Sequence, residues 1–244
     1  MLVNVDAAGL EWRTALLLSN DEVGIQEILG GEDTHSKNQQ DFSLPDRHTA
    51  KIYLFRTIYR GTGWSFANDP AFQHVSKSQK YWNGINERFY GKYHQLDATH
   101  QGWYRLCAEH KPIAGPTGRQ WLILPTTDYK GDYKIPITMI SNYPVRGTGH
   151  DIVMMARISL KNRLNKYKMQ SRIVQTVHDS IVTDGPDDEI VAVSNIMYDV
   201  FDDLPKNFKK IFNIDMPIPF PGEVKYGKNL AQMKEIAQGA TKWN

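Results

Sequence analysis

Two aspartates stand where carboxylates can do chemistry together. Asp6 closes the apolar run Leu2-Val3-Asn4-Val5, and Asp179 closes the run Ile173-Val174-Gln175-Thr176-Val177-His178. If the two runs are paired core strands, both carboxylates lie on one rigid sheet edge. Hard anionic oxygens held in that way suit a pair of magnesium ions, the apparatus of phosphoryl transfer. Between them in sequence lies a second set, Arg47, Lys51, Phe55 and Tyr59, recurring at every fourth position. Each such step on a helix turns about 40° from straight alignment, so the four side chains span roughly 120° of one face over about 18 Å. Two cations followed by two aromatics fit a triphosphate at the N-terminal end, where the helix dipole favours anions, and a stacked base at the other end. Ala50, Leu54 and Ile58 fall on the opposite, core-facing side.

Each set also has a plainer reading. A strand-terminal Asp is more commonly a cap than a metal ligand, and His178-Asp179 suits a hairpin turn. The basic-aromatic stripe equally suits a solvated Arg/Lys edge beside a pair of core aromatics. What raises the chemical reading is the joint occurrence of Asp6, the basic-aromatic helix and His178-Asp179 in this order.

The elements that must position these residues follow from pattern. Leu2 to Val5 reads as a strand and Leu10 to Leu18 as a helix. Gly30 to Gln40 is polar and reads as an exposed loop. Ser43, with Asp46 three residues on, forms a capping box for a helix running to about Arg60, where Gly61-Thr62-Gly63 ends it. Residues 71 to 109 look mostly helical, anchored by Trp82, Phe89, Tyr90, Tyr93, Trp103 and Tyr104. Gly118 to Pro125 reads as a turn and a strand. Thr148 and Asp151 suit the start of a helix reaching about Gln170. A hairpin over 173–183 carries Asp179. Ile190, Val193, Met197, Val200, Phe201 and Leu204 recur at helical spacing, and Ile214 to Lys225 reads as a final strand region. Gly222 to Asn229 nearly spells a phosphate-binding loop, but Asn229 stands where a magnesium-binding hydroxyl is needed, so it reads as a strand-to-helix turn. Strands at both ends and helices between them predict an α+β fold: an antiparallel sheet with helices, interrupted by a helical insertion. The expected division is 1–24, 25–135 and 136–244.

The chain has 244 residues, 41% of them apolar and 23% charged, with a net charge of +2. That supports a core but announces no nucleic-acid binder by charge alone; many metabolic enzymes share this balance. Cys107 is the only cysteine, which excludes an internal disulfide framework and favours a reducing, cytoplasmic setting. The N-terminus carries Asp6, Glu11 and Arg13 early and does not read as a signal peptide, and no apolar run is long enough to span a membrane.

On these residues the chain resembles the family A DNA polymerases of bacterial repair and phage replication type. Motif A of that family resembles Asp6…Leu10-Glu11…Arg13. Motif B resembles Arg47-xxx-Lys51-xxx-Phe55-xxx-Tyr59, and motif C resembles Val177-His178-Asp179. Gly118-Arg119 with its following strand and Pro125 agrees, as does Asn142-x-Pro144-x-Arg146-Gly147-Thr148. The resemblance implies a right-hand polymerase fold, with a palm at 1–24 and 136–244 and fingers at 25–135. It implies two magnesium ions, replaceable by manganese, held by Asp6, the Ala7 carbonyl and Asp179. Lys51 and Arg47 would clamp the triphosphate of a dNTP, Lys51 assisting catalysis. Phe55 and Tyr59 would meet the nucleotide, Glu11 would exclude a 2′ hydroxyl, and His178 would lie by the primer terminus. Arg13, Arg119, Asn142 and Arg146 would touch primer-template DNA.

Departures from the family pattern are Ser180 for a common Glu, Arg146 for a common Gln, and Arg60 for a usual Gly. Ser180 raises a phage-type RNA polymerase fragment as an alternative, which Glu11 and the Asn142 to Gly147 stretch oppose. A non-catalytic polymerase-like DNA-binding subunit is the other alternative, opposed by Asp6, Lys51 and Asp179 occurring together. The family places a thumb, the first palm strands and usually an exonuclease before motif A. The expectation is therefore either a shortened piece of such an enzyme or, as the preferred reading, the catalytic subunit of a split bacteriophage-type polymerase, cytoplasmic (in the bacterial host's cytoplasm if phage-encoded), with a second protein chain supplying thumb, remaining palm and, on the family pattern, an exonuclease.

Overall fold

The computed structural model describes residues 1–127 and 130–242. In chain order the elements begin with β1 (Leu2–Ala7), α1 (Leu10–Ser19), α2 (Glu22–Leu29), α3 (Thr34–Phe42), α4 (Arg47–Thr57) and α5 (Gly63–Ala67). Next come α6 (Gln79–Lys92), α7 (His94–Ala108), β2 (Ile113–Ala114), β3 (Gln120–Trp121), β4 (Thr126–Thr127), β5 (Tyr133–Lys134) and α8 (Ile137–Lys166). The chain continues with β6 (Arg172–Val177), β7 (Ser180–Asp184), α9 (Ile190–Asp202), α10 (Leu204–Phe212), β8 (Gly222–Gly227) and β9 (Lys234–Glu235). They divide into two compact units: a terminal unit of Met1–Leu10 with Gly147–Asn244, and an inserted unit of Glu11–Arg146.

The terminal unit is built on an antiparallel sheet of order β6-β7-β1-β8-β9. β1 alternates: Val3, Val5 and Ala7 are buried, while Leu2, Asn4 and Asp6 are partly exposed. Because opposed residues share a face, Val5 aligns with Ile181 on β7 and Val224 on β8 to make one apolar row. α9 covers β1 and β8 with Val193, Met197, Val200 and Phe201. At Gly222 a Cβ would stand 2.7 Å from Val5 Cγ2 and 3.1 Å from the Phe201 ring, so the close approach of helix and sheet needs bare backbone there.

The inserted unit is helical around an aromatic core. Phe42, Tyr53, Phe66, Phe72, Trp82 and Phe89 are all buried. Phe66 and Trp82 stack with centroids 5.2 Å apart, and the Trp82 Nε1 donates to the Ser76 carbonyl at 2.9 Å, so the large ring is buried without an orphaned donor. Asp21, Asp33, Asp46, Thr62 and Ser78 each accept a backbone N–H in the first turn of the helix they cap. A smaller cluster joins Cys107, Ile113, Ile123 and Ile140.

Several elements differ from the sequence expectation. Residues 34–42 are helix, not loop: Asp33 caps α3, and Asn38 and Phe42 are buried on its inner face. The expected helix of 43–60 is α4, Arg47–Thr57; Ser43 ends α3 in the left-handed region at φ 55°, and Asp46 itself is the N-cap of α4. α8 starts at Ile137 and runs through Pro144, ahead of the expected start at Thr148. Burial of Ile140 and Val145 compensates an interior proline that costs about 3 kcal/mol in an isolated helix. Residues 222–227 are a core strand beside β1 rather than a strand-to-helix turn, and the amphipathic helix α10 was not anticipated. The unit boundaries fall at Leu10 and Arg146, where the sequence places divisions after 24 and 135. Trp12 on α1 packs on Tyr93 at 5.0 Å, and Ile140 on α8 belongs to the Cys107 cluster, which ties both segments to the inserted unit.

Candidate active site

In the terminal unit the β6–β7 connection is a two-residue turn, His178-Asp179, because Val177 pairs directly with Ser180. His178 takes a left-handed φ of 53°, uncommon outside glycine and the sort of local strain found at functional turns. The turn is fastened to β1: the Ala7 N–H donates to the Asp179 carbonyl at 3.0 Å, while the next N–H, of Ala8, donates to the Pro221 carbonyl at 3.0 Å. Asp6 thus stands one residue before the bond that holds Asp179. In register it faces Ser180 on one side and Glu223 on the other.

This crowding has an electrostatic signature. The Asp6 carboxyl is half-buried and held above the usual carboxylate range, first by desolvation, then by the charges of Asp179 and Glu223; Lys225 acts the other way. A carboxylate destabilised by like charges is stabilised by a cation, and the oxygen-only chemistry of the group suits magnesium or manganese. No three His, Cys, Asp or Glu side chains gather as a closed metal cage among the described residues. An open site of two carboxylates, completed by water and substrate phosphate, is the usual form for magnesium. Glu223 was not expected here; it lay inside the rejected phosphate-loop motif, and only the register of β8 brings it beside Asp6.

In the inserted unit the four-residue stripe lies on the accessible face of α4 and its C-terminal extension. Arg47 and Lys51 are exposed and Phe55 and Tyr59 half-buried, whereas Ala50, Leu54 and Ile58 are fully buried. The aromatics are therefore not a closed core pair. Arg47 is already engaged: its Nε and terminal nitrogen grip the two Asp33 oxygens at 2.7 Å each, which holds the Asp33 carboxyl far below the usual range. His35, which fell in the expected loop, belongs to this face. Its ring lies 6.0 Å from Phe55, Arg47 and Lys51 both disfavour its protonation after burial itself, and its Nδ1 is buried without a partner. The polar α3 segment carries no apolar period that could have signalled it.

Beyond α4, Arg60 adopts a left-handed φ of 61° where the family usually has glycine. Its side chain sustains that backbone. Nε donates to His100 Nδ1 at 3.0 Å, a terminal nitrogen meets Asp97 Oδ1 at 2.5 Å, and the guanidinium lies 4.1 Å from the Tyr90 ring centre. The charge beside it and, above all, burial keep His100 neutral, with its pKa pushed down to about 3. Glu11, in the first turn of α1, lies near the Tyr59 phenol and 3.6 Å from Arg146 Nε. Of the expected DNA contacts, Arg13 is partly buried, and desolvation lowers its pKa; Arg119 lies in the β2–β3 turn and is exposed; Asn142 is half-buried on α8.

Residues 1–232 match the model of DNA polymerase family A. The chain is 24% identical over 94% of its length to a DNA polymerase of Bacillus phage SP01, covering 26% of that protein. It is 23% identical over 96% of its length to the thermostable DNA polymerase I of Thermus aquaticus, covering 27%. In three dimensions it is similar to the POL domain of Pol1 from M. smegmatis in complex with DNA primer-template and dNTP, with a TM-score of 0.78 at 18% identity over 93% of this chain and 39% of that one. The chain thus spans about a quarter of the length of these two polymerases. No helix among the described residues is long and apolar enough to cross a membrane.

Proposed function

Because the chain belongs to DNA polymerase family A, we propose that it carries the nucleotidyl-transfer chemistry of template-directed DNA synthesis, with dNTP and primer-template DNA as substrates. The observation that supports this best is the fastening of Asp179 to the end of β1, beside Asp6. Asp6, Asp179 and the Ala7 carbonyl would hold two magnesium ions, for which manganese could substitute. When bound, such ions make the primer 3′ hydroxyl a better nucleophile and offset charge on the transferring phosphate. The β1 pairing and the Ala7–Asp179 backbone hydrogen bond hold the backbones of the two aspartates together, so little reorganisation of the main chain is left for the reaction itself.

Lys51 binds the triphosphate and steadies departing pyrophosphate. Arg47 shares that task on exchanging Asp33 for phosphate, one bidentate anion for another. Phe55 and Tyr59 pack on the nucleotide, Glu11 fills the space under the sugar, and His178 lies by the primer terminus. Arg13, Arg119 and Asn142 contact primer or template. The relatives carry about three quarters of their length outside the matched region; the grip on duplex comes from further polypeptide of that kind, whether in the same chain or in a second one.

The test is primer extension by the assembled polymerase with Asp6→Asn or Asp179→Asn, alongside manganese binding followed by electron paramagnetic resonance. Both variants should lose extension and weaken manganese binding. Extension near the wild-type rate in either would remove the metal assignment.

A further inference from the structure

Three elements of the inserted unit meet around one carboxylate. Glu11 comes from the first turn of α1, Tyr59 from the turn after α4, and Arg146 from α8. The Arg146 Nε stands 3.6 Å from Glu11 Oε1, with the side chains 55% and 30% exposed. The Tyr59 hydroxyl is buried and makes no hydrogen bond within normal range. It is nonetheless close enough for the Glu11 charge to add to the burial that raises its pKa, while Arg146 acts in the opposite sense. The three groups therefore form one electrostatic unit whose central member is the glutamate.

We infer that Arg146 is a positioning residue: it fixes the Glu11 carboxylate beside Tyr59 and, through it, sets the discrimination between deoxyribonucleotides and ribonucleotides. This rests on the sugar-excluding role proposed for Glu11. The physical reason is rotamer freedom. A glutamate side chain turns about three bonds and, partly exposed, samples several positions at little cost. A wall that moves aside for a 2′ hydroxyl discriminates poorly. A planar guanidinium paired with it selects one position, and a shorter neutral amide at 146 offers weaker restraint. Arg146 therefore acts within the protein, where the sequence alone suggested a DNA contact.

Single-nucleotide insertion by the full polymerase should be measured with matched dNTP and rNTP for the wild type, Arg146→Gln, Arg146→Lys, Glu11→Ala and the Glu11→Ala/Arg146→Gln pair. Arg146→Gln should raise the ribo-to-deoxy ratio of kcat/KM by about two- to fivefold, the range of a partly exposed ion pair, mainly through a lower KM for the ribonucleotide. Arg146→Lys should restore part of the discrimination. On the Glu11→Ala background, Arg146→Gln should add nothing to the ratio. A ratio unchanged in Arg146→Gln while Glu11→Ala raises it, or full additivity in the double variant, would overturn the inference and leave the polymerase assignment standing. A ratio unmoved by Glu11→Ala, or a wild type that inserts no dNTP, would overturn the underlying assignment and this inference with it.

Discussion

The carboxylate edge and the cationic helix face are positioned by different physics. Asp6 and Asp179 are set by the main chain: β1 is paired on both sides, and a backbone hydrogen bond fastens the Asp179 turn to its end. Arg47, Lys51 and His35 are set by side chains: an Asp46 cap, an exposed fork between Arg47 and Asp33, and a ring contact with Phe55. Backbone register admits no intermediate positions, since a slip of one residue turns every side chain to the other face. Exposed ion pairs exchange partners at small cost. One region is suited to holding ions at fixed separation, the other to taking up and releasing an anion.

The sharpest way to break this contrast is at the edge. Asp6→Asn or Asp179→Asn should lower kcat by roughly a thousandfold or more, since fixed charge stabilisation is lost while the backbone ladder stays intact. Melting at a temperature close to wild type would show that the ladder, not the carboxylates, carries the fold; a collapse in stability would show the two were never separable. Next in size is the aromatic core that carries the helix face. Trp82→Ala should cost about 3–5 kcal/mol of stability, read by denaturant unfolding. A loss below about 1 kcal/mol would mean that the α4 face does not depend on that core.

Lys51→Ala should reduce kcat by about tenfold to a hundredfold and weaken dNTP binding, without changing manganese affinity. A fall in manganese affinity as large as that of Asp6→Asn would erase the division of labour. The smallest effect concerns Asp33. Its folded-state pKa lies below the unfolded value, so the Arg47 pair stabilises the fold above the ordinary aspartate range, and that contribution is lost as pH falls through the range and below it. Asp33→Asn should therefore lower the melting temperature slightly at pH 7 and by less near pH 2, where the unfolded carboxyl is already protonated. An equal shift at both would mean that the contact is steric rather than ionic.

Much of the carboxylate edge was legible in the sequence because β-branched runs closed by aspartate encode a strand and its end together. The exposed stripe on α4 was legible for a similar reason: a helix period writes its face into the chain. Residues 34–42 were not legible. Their helix buries Asn38, whose side chain meets the Tyr93 hydroxyl at 2.9 Å, and such a polar contact leaves no apolar period. Glu223 was hidden because its meaning is a matter of register between distant strands. α8 was misplaced because Pro144 reads as a barrier locally and is overruled only by the tertiary burial of Ile140 and Val145.

The place of β1 at the middle of its sheet has a consequence for how the molecule comes to exist. Its neighbours β7 and β8 are encoded after the whole of the inserted unit, so β1 is synthesised well before either of its partner strands. At about 5–20 residues per second, the apolar side of β1 waits on the order of ten seconds or more. The inserted unit closes on contacts within its own span and should acquire protection early, whereas the sheet, with its long loop closure, should form late. Pulse-labelled hydrogen exchange on refolding chains would show amides of α4 and α6 protected before those of β1; simultaneous protection would mean that the two regions fold as one.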